Sequence, residues 1–320
     1  MKFCRKRRFF YIIPMSKTIL LFPGQGAQYV GMGKILSETF EPAKQILKKA
    51  DEVLGYELSK IMQEGPEETL KSTDNTQPAL YVCSCMAMEL LKNKGIPFDY
   101  VAGHSLGEYS AIYAAGGFSF EDGLRLVRVR GELMAKAGVL KPGAMSAVLG
   151  LSEEGLNAAL AEAQSAGVVV AANFNSPGQI VISGSKEGVA KAGETATAKG
   201  AKKVVPLPVS GAFHSPLMEY ALPGLKEAIE KTSFSDLKVP LIANVTSQAV
   251  SKGSDLPELL TKQLISPVRW QQGMETAISL GVERGIEVGA GKVLMGLMRG
   301  INRNIKVYSV ETQEQIDEIK

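Results

Sequence analysis

Gly103-His104-Ser105-Leu106-Gly107 sets a serine between two glycines in the pattern G-x-S-x-G, after an apolar run and before helically spaced residues. In that context the glycines permit a sharp strand-to-helix turn, which presents the hydroxyl beside outward-pointing helix N–H groups. Such a serine can act as a nucleophile whose oxyanion is held by backbone donors. The plainer alternative is a turn serine that caps a helix. A nucleophilic hydroxyl needs a base, and the chain has two histidines. His104 adjoins Ser105, and on a sharp turn adjacent side chains diverge. His214, in Ser210-Gly211-Ala212-Phe213-His214-Ser215-Pro216, sits in a loop between a strand and a helix, where catalytic groups often lie. An imidazole with an ordinary pKa of about 6.5 suits general base work. No acid follows it in an obvious triad position, so a backbone carbonyl is the alternative means of orienting the ring.

Arg130 stands apart from the other arginines of its helix. Arg125 has Glu121 four residues before it and Arg128 has Glu132 four after it, so each has a local partner. Arg130 has Leu126, Val127, Leu133 and Met134 at the helical neighbour positions. A cation on an apolar face requires a negative partner. Either a distant Asp or Glu or the carboxylate of a substrate would serve, and the planar guanidinium fits a carboxylate in a two-pronged grip. Pro23-Gly24-Gln25-Gly26-Ala27-Gln28 offers an exposed backbone after the first strand, with the N–H of Gln25 as a second oxyanion donor. Gly289-Ala290-Gly291-Lys292-Val293 fails as a phosphate loop, because Val293 stands where Ser or Thr would bind magnesium. It reads as a strand-to-helix turn, and nothing suggests a metal site.

The elements that must position these residues alternate between strand and helix, the mark of an α/β layer fold. Strands are expected over 18–22, 98–102, 239–243 and 284–288. Helices are expected over 38–55, 76–95, 105–115, 118–137, 217–231, 256–264 and from 292 to 299. The stretch 138–208 has its own order: strand 144–151, helix 152–167, strands 168–173 and 179–183 joined at Ser176-Pro177-Gly178, helix 185–200 and strand 202–207. That βαββαβ sequence is the ferredoxin-like pattern and reads as an inserted subdomain. The larger unit would then span 15–137 and 209–320, with 1–14 an extension outside the fold and 311–320 a charged, solvated tail.

Composition excludes several classes. Of 36 basic residues, five lie in the first eight positions, leaving 31 against 33 acidic ones, so no nucleic-acid or anionic-membrane partner is implied. No apolar run approaches the roughly 18 residues of a membrane span. Cys83 and Cys85, two apart on a helix, point to different faces and suit core packing in a reducing cytoplasm.

With Phe22-Pro23-Gly24-Gln25-Gly26, Gly103-His104-Ser105-Leu106-Gly107-Glu108, Gly211-Ala212-Phe213-His214 and Gly289-Ala290-Gly291-Lys292 in this order, the chain resembles malonyl-CoA:acyl carrier protein transacylases over most of its length. The resemblance implies an α/β-hydrolase-like core with a ferredoxin-like insertion, and transfer of malonyl from coenzyme A to the phosphopantetheine thiol of acyl carrier protein in fatty acid synthesis. It makes Ser105 the acylated nucleophile, His214 its base, and Gln263 the residue whose backbone carbonyl orients that base. Gln25 and Leu106 supply oxyanion N–H groups, Arg130 receives the malonyl carboxylate, and Met134 and Asn175 are expected along the substrate, Asn175 near the thioester arm. The bulk of Phe213 fits malonyl, since related methylmalonyl enzymes carry a smaller residue there. Malonyl-CoA is the donor substrate and no tightly bound cofactor is implied. A polyketide-pathway acyltransferase, a serine thioesterase and a non-catalytic carrier-binding module are the competing readings.

Overall fold

The computed structural model describes residues 16–209 and 211–319; the extension assigned to 1–14 lies outside them. Among the described residues ten strands form two sheets. The larger has the order β10-β9-β1-β2-β7-β8, comprising β1 (Lys17–Phe22), β2 (Tyr100–Gly103), β7 (Leu241–Ile242), β8 (Ala249–Val250), β9 (Val282–Val288) and β10 (Lys306–Val310). It is parallel except for the edge pair β7–β8. Helices cover both faces, and β1 shows the pattern this demands. Ile19 and Leu21 point into one core cluster, Leu20 and Phe22 into another, and all four are fully buried.

The smaller sheet, β4-β5-β3-β6, is antiparallel throughout and comprises β3 (Ala144–Leu149), β4 (Val169–Ser176), β5 (Gln179–Gly184) and β6 (Lys203–Pro206). The helices Glu153–Ala163 and Lys186–Ala198 bury Leu156, Ala159, Val189 and Ala192 against Val148 and Ile182. Serines cap both helices: Ser152 accepts from the N–H of Gly155 and Ser185 from that of Gly188. The two units meet where Phe174 and Val268 bond through their backbones, Phe174 N–H to Val268 O at 2.9 Å and Val268 N–H to Ala172 O at 2.8 Å.

Several expectations need correction. The helix expected over 38–55 is two, Lys34–Thr39 and Glu41–Leu54. Phe40 between them is extended, and Pro42 in the first turn of the second begins a helix more readily than it continues one. The helix expected over 217–231 opens as the 3-10 turn Pro216–Ala221 before Leu222–Glu230. Helices Leu58–Glu64, Glu67–Lys71 and Trp270–Ser279, and strand β10, were not anticipated. The tail after Val310 is not wholly solvated: Gln313–Ile316 forms a short helix with a capping box from Thr312 and Gln315, and Ile316 is buried. Cys83 and Cys85 are free and buried in the core.

Candidate active site

In-register pairing of Phe22 with Gly103 ends β1 and β2 at the same level, so the loops that follow lie side by side at the carboxyl edge of the sheet. Ser105 follows β2 with φ 51°, a left-handed conformation that is costly for a non-glycine residue, and the helix Gly107–Ala114 leaves at once. The flanking glycines are sterically required. A Cβ on Gly103 would lie 1.9 Å from the Gly107 backbone, and one on Gly107 would lie 2.0 Å from Phe22 O. The turn is pinned by Asn244, whose Oδ1 accepts from Ser105 N–H at 2.8 Å while its Nδ2 donates to Gly103 O at 2.7 Å. His104 turns away from Ser105, its Nε2 2.8 Å from Asn175 Oδ1 and its ring against Trp270.

His214, also left-handed at φ 58°, brings Nε2 to 2.8 Å from Ser105 Oγ. Its Nδ1 faces two carbonyl oxygens, Gln263 O at 2.9 Å and Ser266 O at 3.1 Å. Carbonyls only accept, so Nδ1 carries the proton and Nε2 presents its lone pair to the serine. Burial, followed by the Arg130 charge, lowers the imidazole pKa from 6.5 to about 3.

Arg130 is 1 % exposed. Its Nη2 donates to Ser105 Oγ and to Gln263 Oε1, both at 3.0 Å, and its Nη1 to Gln77 Oε1 at 2.8 Å. The guanidinium lies over the Tyr109 ring at 5.3 Å, and Nε has no hydrogen-bond partner among the described residues. Of the two partners open to it from sequence, a protein carboxylate makes no direct ion pair: among the described residues none lies within ion-pair distance. Arg128 does pair with Glu132, at 2.6 Å, whereas Arg125 pairs with Asp122 and not with the expected Glu121.

Gln263 joins these parts. Besides its backbone contact with His214, its Nε2 donates to Ser105 O at 2.9 Å and to Glu108 Oε2 at 2.5 Å. Glu108 Oε1 accepts from Asn244 N–H at 2.8 Å. Burial pushes the Glu108 carboxyl up to about 7.

A cavity of about 90 Å³ opens beside Ser105, walled by Gln25, Leu106, Arg130, Met134, Phe213 and Asn173 among others. Its size admits a short acyl group. The N–H groups of Gly26, Ala27, Gly107 and Glu108 are all bonded, whereas those of Gln25 and Leu106 have no acceptor among the described residues. Two unclaimed donors beside a nucleophile are what an oxyanion requires. Met134 Sδ accepts from Gln77 Nε2 at 3.2 Å. Asn173 is on the wall, while Asn175 is engaged by His104 behind it. The structure therefore gathers Ser105, His214, Gln263, Gln25, Leu106, Arg130, Phe213 and Met134, with Asn175 one layer back. The sequence reading missed Gln77 and Asn244, for which it carries no local signal. It read Glu108 only as part of a motif. Among the described residues no group of three or more His, Cys, Asp or Glu could hold a metal, and no helix is long and apolar enough to cross a membrane.

A parallel α/β sheet whose strand-to-helix turn carries a serine, a neutral histidine and two free N–H groups is an arrangement able to transfer an acyl group through a serine ester. The acyl transferase domain model matches residues 19–315. The malonyl CoA-acyl carrier protein transacylase of Bacillus subtilis (strain 168) is 46% identical over 304 residues, covering 95% of this chain and 96% of that protein. The solved acyl carrier protein S-malonyltransferase of Vibrio cholerae superposes with a TM-score of 0.92 at 40% identity, covering 95% of this chain and 100% of that one. A malonyl-transacylase solved in complex with its type II PKS acyl-carrier protein superposes with a TM-score of 0.91 at 38% identity, covering 94% and 98%. The chain belongs to the malonyl CoA-acyl carrier protein transacylase family.

Proposed function

We propose that the protein moves a malonyl group from malonyl-CoA to the phosphopantetheine thiol of acyl carrier protein, through a malonyl ester on Ser105, in fatty acid synthesis. The observation that carries this reading is a buried guanidinium with no carboxylate partner, 3.0 Å from the hydroxyl that His214 faces at 2.8 Å. A buried guanidinium that makes no direct ion pair and lies against a nucleophile can grip an anionic acyl group. Malonyl on Ser105 carries its free carboxylate two bonds beyond the ester carbonyl, within reach of Arg130.

In the first half-reaction His214 Nε2 takes the Ser105 proton as Oγ attacks the thioester carbonyl. The N–H groups of Gln25 and Leu106 hold the oxyanion. Coenzyme A leaves as its thiol with the proton from His214. In the second, the carrier thiol gives its proton to His214 and attacks the ester, and Ser105 recovers a proton as it leaves. The malonyl carboxylate offsets the Arg130 charge that helps hold the imidazole pKa down, so the base strengthens when a carboxylated acyl group is in place. Phe213 limits branching at the acyl α-carbon.

The same reading takes 15–137 and 209–320 as an α/β-hydrolase-like catalytic domain and 138–208 as a ferredoxin-like insertion, which the order β4-β5-β3-β6 supports. It uses malonyl-CoA as a substrate, requires no tightly bound cofactor, and assigns the reaction to the cytoplasm.

Intact-mass measurement after brief exposure to malonyl-CoA tests the proposal. A malonyl adduct is expected on the Ser105 peptide, absent from Ser105→Ala and discharged by holo carrier protein. Free malonate without an adduct would mean a hydrolase. Arg130→Ala should lower malonyl transfer by about a hundredfold or more while sparing acetyl transfer. Equal loss with both donors would remove Arg130 from the role of carboxylate receptor.

A further inference from the structure

We propose that Glu108 is a positioning residue for the transfer, fixing which way the Gln263 side-chain amide faces and, through it, where the Arg130 guanidinium points. Arg130 offers only donors, an ionised Glu108 only acceptors, and an amide has one end of each kind. Gln263 is placed between them with Oε1 on Arg130 Nη2 at 3.0 Å and Nε2 on Glu108 Oε2 at 2.5 Å. The second proton on Nε2 goes to Ser105 O at 2.9 Å, so the whole amide is satisfied in this orientation. The reversed amide would set NH₂ against the guanidinium and a carbonyl against both Glu108 and Ser105 O, losing three hydrogen bonds in a buried site.

Glu108 also reaches the elbow from its other side, since Oε1 accepts from the N–H of Asn244, whose side chain holds Ser105 N–H. One buried carboxylate thus ties the nucleophile's turn to the acyl-carboxylate receptor. Its charge balances Arg130 across an intervening amide. A direct ion pair would occupy the guanidinium edge that the substrate needs, whereas the relay keeps the buried cation compensated and still able to bind an anion. Burial raises the Glu108 pKa to about 7, so at pH 8 the carboxylate form prevails.

The inference rests on Arg130 as carboxylate receptor, and the experiment separates the two. Transfer to holo carrier protein is measured at pH 8 with malonyl-CoA and acetyl-CoA for wild type, Arg130→Ala, Glu108→Gln and Gln263→Met, with thermal melts of each. Gln at 108 must present its own NH₂ to the Asn244 N–H or to Gln263 Nε2, so the amide order breaks. Gln263→Met removes the relay but keeps the backbone carbonyl for His214. Both variants should lower the malonyl-to-acetyl ratio of kcat/KM by about tenfold or more, the scale of one misplaced charge-assisted hydrogen bond. If Arg130→Ala abolishes the malonyl preference but folded Glu108→Gln keeps the wild-type ratio, the role of Glu108 is overturned and that of Arg130 stands. An unchanged ratio in Gln263→Met overturns it even if Glu108→Gln does not fold. If Arg130→Ala itself keeps the preference, the underlying reading fails.

Discussion

His214 should remain neutral far below the pH at which a histidine ordinarily gains its proton. Burial, with the Arg130 charge second, holds it at about 3 against an ordinary 6.5. At pH 5.5 an imidazole of ordinary pKa is about 90 % protonated, and one at 3 less than about 1 %. The chain has two histidines, and burial lowers His104 as well. Carbon-13 labelling at Cε1 therefore gives two ring resonances, told apart by His214→Gln. Between pH 8 and pH 5 the His214 signal should keep its neutral shift. Stability must follow. The folded state refuses a proton that the unfolded chain accepts, so this contribution is present above 6.5 and is lost as pH falls towards 3. Between pH 7 and pH 5 the loss is about 2 kcal/mol, read from urea midpoints. Glu108 and Glu287, both raised by burial to about 7, act in the opposite sense, gaining stability as pH falls through that value. Only the difference between wild type and His214→Gln isolates the imidazole. A His214 midpoint at 6 or above, or the same pH dependence in the variant, would refute a desolvated base held neutral.

Two further perturbations probe the elbow and the cavity. Gly107→Ala should destabilise the fold by about 3 kcal/mol, seen in denaturant melts, and abolish the mass adduct on Ser105, because the added methyl meets Phe22 O at 2.0 Å; an active variant of wild-type stability would contradict the packing of helix on strand described here. Phe213→Ala should raise the methylmalonyl-to-malonyl ratio of Ser105 acylation by about tenfold, the worth of one extra methyl in a tight pocket; an unchanged ratio would mean that another wall sets the limit.

The sequence reading singled out the elbow serine, the histidine that faces it and the apolar-face arginine because each announces itself locally, through glycine spacing, the scarcity of histidine, or the lack of an i±4 partner. It found the β3-to-β6 segment because each strand there is bounded by turn residues and a capped helix. It missed what depends on distant neighbours. Asn244 and Gln77 carry ordinary amides in ordinary stretches, and their importance comes from facing Ser105 and Arg130 across the fold. Helix Trp270–Ser279 follows an Arg269 whose side chain makes no capping bond, so no start signal marks it. Strand β10, five residues reading Lys-Val-Tyr-Ser-Val, becomes recognisable only beside β9.

The position of β1 has a consequence for how the chain must fold. The first of the described strands, β1, lies in the middle of the larger sheet, and its partner on one side, β9, begins at Val282. Until most of the chain has been synthesised, β1 has an open edge and two apolar faces. Closing that gap spans more than 260 residues of sequence, a non-local pairing of the kind that slows folding and leaves intermediates prone to aggregation. Apart from the backbone bonds of Ala172 and Phe174 to Val268, the β3-to-β6 segment makes its strand pairs within itself and can form most of its sheet while the chain is still growing. The nascent protein would thus carry a largely formed module on an unfinished one, and demand for chaperone protection should be greatest just before β9 emerges.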